Sequence, residues 1–160
     1  MENKNITTKI IVCSYEELND EEKKLVDAAK EASNRSYAPY SRFQVGAAVR
    51  LAGGVLVSGS NQENAAYPSG TCAERTTLFY ANSQYPDRAV EALAIAAQTG
   101  EKFIEHPTAP CGACRQVILE TEERYRHPIR IYLYGTNEVY IVDSIVGLLP
   151  LCFGKSDLPE

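Results

Sequence analysis

Two short segments, Thr71-Cys-Ala-Glu-Arg75 and Ala109-Pro-Cys-Gly-Ala-Cys-Arg-Gln116, concentrate the residues able to do chemistry. They supply Cys72, Cys111 and Cys114. Cys111 and Cys114 are three apart, so on the first turn of a helix both sulfurs face one side. Cys72 opens another helix in the reading below. If those two helix starts lie together, three sulfurs converge on one metal. Zinc prefers four tetrahedral ligands, and a catalytic site takes three from the protein and leaves the fourth position to water. A closed structural site would show paired cysteines on both sides, whereas here the upstream cysteine stands alone. The spacing therefore predicts an open, catalytic zinc site built from Cys72, Cys111 and Cys114.

Glu74 follows Cys72 by two positions, too close for a convenient second ligand yet near enough to exchange protons with solvent at the open position. That is a general acid/base role. Three thiolates over-neutralise a divalent zinc, and two helix N-termini would draw charge from the sulfurs. Arg75 and Arg115 are expected to hydrogen-bond the thiolates as outer partners. Taken singly, each residue has a plainer reading: a lone C-x-x-C as buried thiols, Glu74 as a solvated helix residue, the arginines as surface charges. The conjunction of C-A-E-R with P-C-x-x-C shifts the balance toward catalysis. Cys13 and Cys152 keep the plain reading as apolar thiols, and His106 and His127, each before a proline, are read as exposed loop residues.

The surrounding sequence must place these segments. Ile6 to Ser14 leans toward extended chain. Asn19 and Glu22 form a capping-box pattern, followed by Leu25, Val26, Ala29 and Ala32 at helical spacing, which predicts a helix over 20–34. Phe43 to Leu51 alternates as a strand, Gly53-Gly54 turns the chain, and Val55-Leu56-Val57 begins a second strand. A loop over 61–71 leads to a helix over 73–83 and an apolar strand over 92–97. Pro110 introduces a helix over 112–123. Strands over 129–134 and 139–142 follow, then a short helix near 144–148. This order implies one domain over 1–160, a three-layer α/β/α sandwich in which a mixed five-stranded sheet carries helices on both faces.

Composition narrows the function. The formal net charge is −5, and no basic run exceeds Lys23-Lys24. Affinity for nucleic acid rests on Lys and Arg neutralising phosphates, so a duplex-binding role is disfavoured and a small ligand favoured. No apolar stretch approaches the ~20 residues of a membrane span, and no secretory signal is visible. An odd count of five cysteines is awkward for a disulfide framework and fits a reducing compartment, so a cytoplasmic location is expected.

At the two cysteine segments the chain resembles the homotetrameric cytidine deaminase family. The resemblance extends from about Leu25 to Leu158 and includes Tyr37-Ala-Pro-Tyr-Ser-Arg-Phe-Gln-Val-Gly-Ala-Ala48, Asn61-Gln-Glu-Asn-Ala-Ala-Tyr67 and Leu148-Leu-Pro-Leu-Cys-Phe153. It implies one zinc per subunit, a nucleoside substrate and a role in pyrimidine salvage. It also implies that Phe43 packs on the pyrimidine ring, that Asn61 and Glu63 bind the ribose 3′-hydroxyl, and that the Ala73 backbone and the Ala109 carbonyl address the base edge and departing amine. Phe153 would reach a neighbouring subunit's pocket, and Tyr67 would lie near subunit contacts. Glu74 would carry the proton to the base and on to the leaving amine, as is general for zinc deaminases. Residues 1–15 form an extension with no role implied. Rival readings are a deaminase of nucleotides, polynucleotides or an aminated nucleoside antibiotic; a structural zinc protein with Cys152 as fourth ligand; and a nucleic-acid module.

Overall fold

The computed structural model describes residues 1–159. Seven strands form one mixed sheet: β1 (Ile11–Cys13), β2 (Gln44–Leu51), β3 (Leu56–Ser60), β4 (Val90–Thr99), β5 (Lys102–Phe103), β6 (Arg130–Tyr134) and β7 (Val139–Val142). Their order is β1-β7-β6-β4-β2-β3, with β5 folding back on β4. Among the named strands of the described residues only β4 and β6 run parallel; the other strand pairings are antiparallel. Three α-helices among the described residues complete the fold: α1 (Asp20–Ser33), α2 (Ala73–Gln84) and α3 (Gly112–Tyr125). The segment predicted as a short helix near 144–148 is a 3-10 turn over Ile145–Leu148.

Side-chain alternation sorts the sheet into two faces. Ala47, Val49 and Leu51 of β2, Leu93 and Ile95 of β4, and Ile131 and Leu133 of β6 join Leu78 of α2 and Ile118 of α3 in one buried cluster. The intervening residues Ala48, Ala92, Ala94, Ala96 and Tyr132 join Leu25, Val26 and Ala29 of α1 in the other. The expected three-layer sandwich is therefore present, with α1 on one face and α2 and α3 on the other. Alanines on the α1 face let that helix sit close. At Gly46 the approach is closest: a Cβ there would lie 2.0 Å from the Ala29 carbonyl oxygen.

The strand count of seven exceeds the expected five, and β1 and β5 account for the difference. Each is too short to carry a period-two signature, at three and two residues. β1 pairs with the β7 edge through Ile11–Ile141 and Cys13–Val139, so three residues within the 1–15 extension add a strand to the sheet. Tyr15 anchors the end of this segment on α1: its hydroxyl donates to Asp27 at 2.8 Å and the Lys30 Nζ stands 4.8 Å from its ring centroid. The α1 start follows the capping box as read, with Glu22 N–H donating to Asn19 and Asn19 N–H to Glu22, both at 3.0 Å. No helix among the described residues is long and apolar enough to cross a membrane.

Candidate active site

The sheet explains why distant cysteines meet. β4 and β6 are parallel neighbours, and α2 and α3 each run back along the sheet to feed one of them. The two helices therefore point the same way, with their N-termini at the same end. Cys72 is the N-cap of α2 and Cys111 the N-cap of α3, both in extended conformation, with Cys114 one turn further into α3. The Cys72 and Cys111 sulfurs are 3.9 Å apart and those of Cys111 and Cys114 are 3.5 Å apart. A tetrahedral zinc with Zn–S of ~2.3 Å requires S···S separations of roughly 3.8 Å. The thiols thus fit the metal by spacing as well as by chemistry. Among the described residues, no fourth His, Cys, Asp or Glu donor joins this group. Cys152 instead packs against the apolar cluster under α2 and α3.

Electrostatics favour anionic sulfur here. The hydrogen bond shared with Cys114 lowers the Cys72 thiol pKa, and the Arg75 guanidinium, with Nη2 3.8 Å from the Cys72 sulfur, lowers it further. Cys114 moves the other way, because its proton is held in the bond to Cys72 and it is buried. These opposite shifts belong to the pair as a unit: Cys72 and Cys114 share a proton, so one sulfur of the two ionises readily. Burial, with the Cys72 charge adding to it, raises the Glu74 pKa; only 5% of that residue is exposed. A carboxyl in such surroundings holds a proton more readily than a surface glutamate does. Arg75 Nε is buried without a hydrogen-bond partner, so the sulfur cluster is the guanidinium's main polar contact on this side.

Arg115 does not play the expected part. Its Nε donates to the Pro110 carbonyl at 2.8 Å and its Nη1 to the Leu148 carbonyl, and no sulfur lies among its hydrogen-bond partners. Five residues beyond Pro110 on a tight helical start, the guanidinium folds back over the loop before Cys111 and ties it to the 3-10 turn at 145–148. The spacing could not separate this from a sulfur contact, because carbonyl acceptors leave no mark on residue type.

A cleft of about 580 Å³ opens beside the sulfurs and is lined by Phe43, Asn61, Glu63, Tyr67, Cys72, Ala73, Glu74, Arg75, Ala109 and Cys111. It thus gathers residues from β2, the 61–71 loop and both helix starts. Phe153 is not among its lining residues; it lies 60% exposed on the C-terminal tail. Sequence reasoning assigned no role to Tyr40 and Ser41, whose backbone N–H groups donate to the Glu63 carboxylate at 2.9 and 3.2 Å. The Ser41 side chain first, and then these backbone bonds, hold the Glu63 pKa below the usual carboxylate value against an opposing desolvation. Backbone donors of this kind have no sequence signature beyond the Pro39-containing turn that presents them.

Fold and site together define a class: a three-layer α/β protein with a three-cysteine metal centre, open on one side, beside a buried carboxylic acid in a substrate-sized cleft. Residues 19–126 match the family model described as the cytidine and deoxycytidylate deaminase zinc-binding region. The chain is 46% identical over 136 residues to a cytidine deaminase of Halalkalibacterium halodurans, an alignment covering 85% of this chain and 96% of that one. It is 39% identical over 143 residues to a cytidine deaminase of Sporosarcina psychrophila, covering 84% and 93% of the two chains. The crystal structure of cytidine deaminase from Burkholderia pseudomallei superposes with a TM-score of 0.70 at 39% identity, over 81% of this chain and 97% of the other. That of the Mycobacterium tuberculosis enzyme does so with a TM-score of 0.66 at 30% identity, over 85% and 99%. The chain belongs to the cytidine and deoxycytidylate deaminase family, and the matched zinc-binding region contains all three convergent cysteines.

Proposed function

We propose that this protein hydrolyses the amino group of cytidine and deoxycytidine, giving uridine or deoxyuridine and ammonia. The carrying observation is one cleft that places a three-sulfur metal set beside a nine-tenths-buried Glu74. One zinc per subunit, held by Cys72, Cys111 and Cys114, would supply the Lewis acidity that makes water nucleophilic near neutral pH. Arg75 offsets the negative charge of the sulfurs. Phe43 offers a flat apolar face to the pyrimidine ring, and Ala73 and Ala109 both line the cleft, where the backbone of the first and the carbonyl of the second would address the base edge and the departing amine.

Glu74 moves the protons. It accepts one from the attacking water and delivers it to pyrimidine N3, which makes C4 electrophilic as the new C–O bond forms. It then transfers the remaining proton to the exocyclic nitrogen. The C–N bond breaks, ammonia leaves and the uracil carbonyl remains. A raised pKa suits a group that must both take and give a proton. Asn61 and Glu63 bind the sugar 3′-hydroxyl, and the Glu63 charge repels substrates that carry a phosphate there.

The chain is proposed to act as a single domain over 1–160, with Ile11–Cys13 of the 1–15 extension as an added edge of the sheet. A homotetramer is proposed on family resemblance and on the exposure of Phe153 and Tyr67, at 60% and 77%, which suits residues completing a neighbour's site. Five free cysteines suit a reducing cytoplasm, and a nucleoside substrate suits pyrimidine salvage.

The test is an absorbance assay on purified protein of known zinc content, with cytidine, deoxycytidine, cytidine monophosphate and blasticidin as substrates. Turnover of the first two, lost on zinc removal, is the expected result. Stoichiometric zinc without turnover of either nucleoside would leave a structural metal and overturn the proposal.

A further inference from the structure

Asn61 is almost fully committed within the protein. Its Oδ1 accepts from the Val45 N–H at 2.8 Å and from the Ser36 hydroxyl, and its Nδ2 donates to the Phe43 carbonyl at 2.9 Å. A primary amide has two N–H donors and an oxygen with two lone pairs. Both lone pairs and one hydrogen are taken, so a single N–H remains on a side chain that lines the cleft. Glu63 is arranged in a complementary way: Oε2 takes the Tyr40 and Ser41 N–H groups and Oε1 takes no backbone donor, so the carboxylate keeps acceptor capacity in the cleft it lines. One donor and one acceptor thus remain side by side, a pair suited to a hydroxyl that accepts with its oxygen and donates its hydrogen.

Val45 and Phe43 settle which end of the amide is which, since one can only donate and the other only accept. Both belong to the same short stretch of chain and hold the amide along one edge. Rotation about the terminal Asn torsion is intrinsically broad. The Ser36 hydroxyl meets the oxygen from a separate segment, just past the end of α1. That segment is itself fastened to the loop by Tyr37 N–H to the Asn61 carbonyl at 3.0 Å and Glu63 N–H to the Tyr37 carbonyl at 2.8 Å.

We infer that Ser36, which is not among the cleft-lining residues, is a positioning residue for substrate recognition: its hydroxyl locks the Asn61 amide so that the one free N–H meets the sugar 3′-hydroxyl. The inference rests on the nucleoside reading of the cleft and extends the site to a residue that touches no substrate.

The test compares two substrates, cytidine and its analogue lacking the 3′-hydroxyl, across four proteins: wild type, Ser36→Ala, Ser36→Thr and Ser36→Cys. Ser36→Ala removes one neutral hydrogen bond, so KM for cytidine should rise about fivefold while kcat stays within about twofold. With the analogue, wild type and Ser36→Ala should share one KM, since the hydroxyl that Asn61 would grip is gone. Ser36→Thr keeps the donor and should restore KM for cytidine. Ser36→Cys, a near-isosteric weak donor, gives an intermediate KM and serves in place of Ser36→Ala should that variant not fold. An equal KM penalty on both substrates, or none on cytidine, overturns the positioning role while leaving the deaminase reading intact. A zinc-loaded wild type that turns over neither substrate removes that reading and this inference with it.

Discussion

Glu74 shows how much a side chain's role depends on surroundings that its neighbours in sequence do not reveal. On residue type alone it is a solvated helix carboxylate; in the fold it is buried against sulfur, with a raised pKa. Glu74→Gln keeps the shape and removes the proton carrier, and turnover is expected to fall by roughly 10²- to 10⁴-fold. Zinc content, measured by elemental analysis on the same sample, should remain that of wild type. Cys114→Ser is the contrasting case: it is expected to lose zinc and to unfold at lower temperature, because metal binding and folding are coupled. The convergence of the cysteines was legible because i, i+3 spacing and helix starts leave clear marks in sequence. The Arg115 bonds to Pro110 and Leu148 were not, nor was the Ser36 contact to Asn61, because their partners are backbone carbonyls or lie far along the chain.

At the level of elements, long segments with a strong period were readable and short ones were not. α1 follows from Asn19, Glu22 and the apolar spacing behind them, and β4 from an uninterrupted apolar run. β1 and β5 are fixed by the strands they pair with, β7 and β4, and carry too few residues to announce themselves. The contact of α1 with β2 was equally hidden, since Gly46 sits within a run of small residues that all suit a strand. Gly46→Ala would drive a methyl into the Ala29 carbonyl, and overpacking of this kind typically costs about 1–3 kcal/mol. Denaturant unfolding should show that loss as a lowered midpoint with an unchanged slope. Tyr15 gives a second test at this scale. Its pKa is pushed up to about 12 by burial first and then by the hydrogen bond to Asp27. A group whose folded pKa is raised contributes fully below its unfolded value and loses that contribution as pH rises through the folded one. Wild type should therefore lose more stability between about pH 10 and 12 than Tyr15→Phe does, as read by chemical unfolding at each pH.

For the molecule as a whole, the metal set fastens the start of α2 to the start of α3, two elements 39 residues apart in sequence at Cys72 and Cys111. Chelation should lower the midpoint of thermal unfolding, and added zinc should restore it in proportion to the logarithm of its free concentration. Light scattering of the zinc-loaded protein should give the mass of four chains; a monomer that is fully active would remove the assigned role of Phe153. The parallel course of β4 and β6 has a further effect. Helices laid side by side in one direction bring like ends of their peptide dipoles together, an arrangement that works against itself. Negative charge gathered at that end turns the mutual opposition into shared attraction. A version of this chain with neutral residues in place of the trio would lose its metal and also leave two positive poles pressed together with nothing between them.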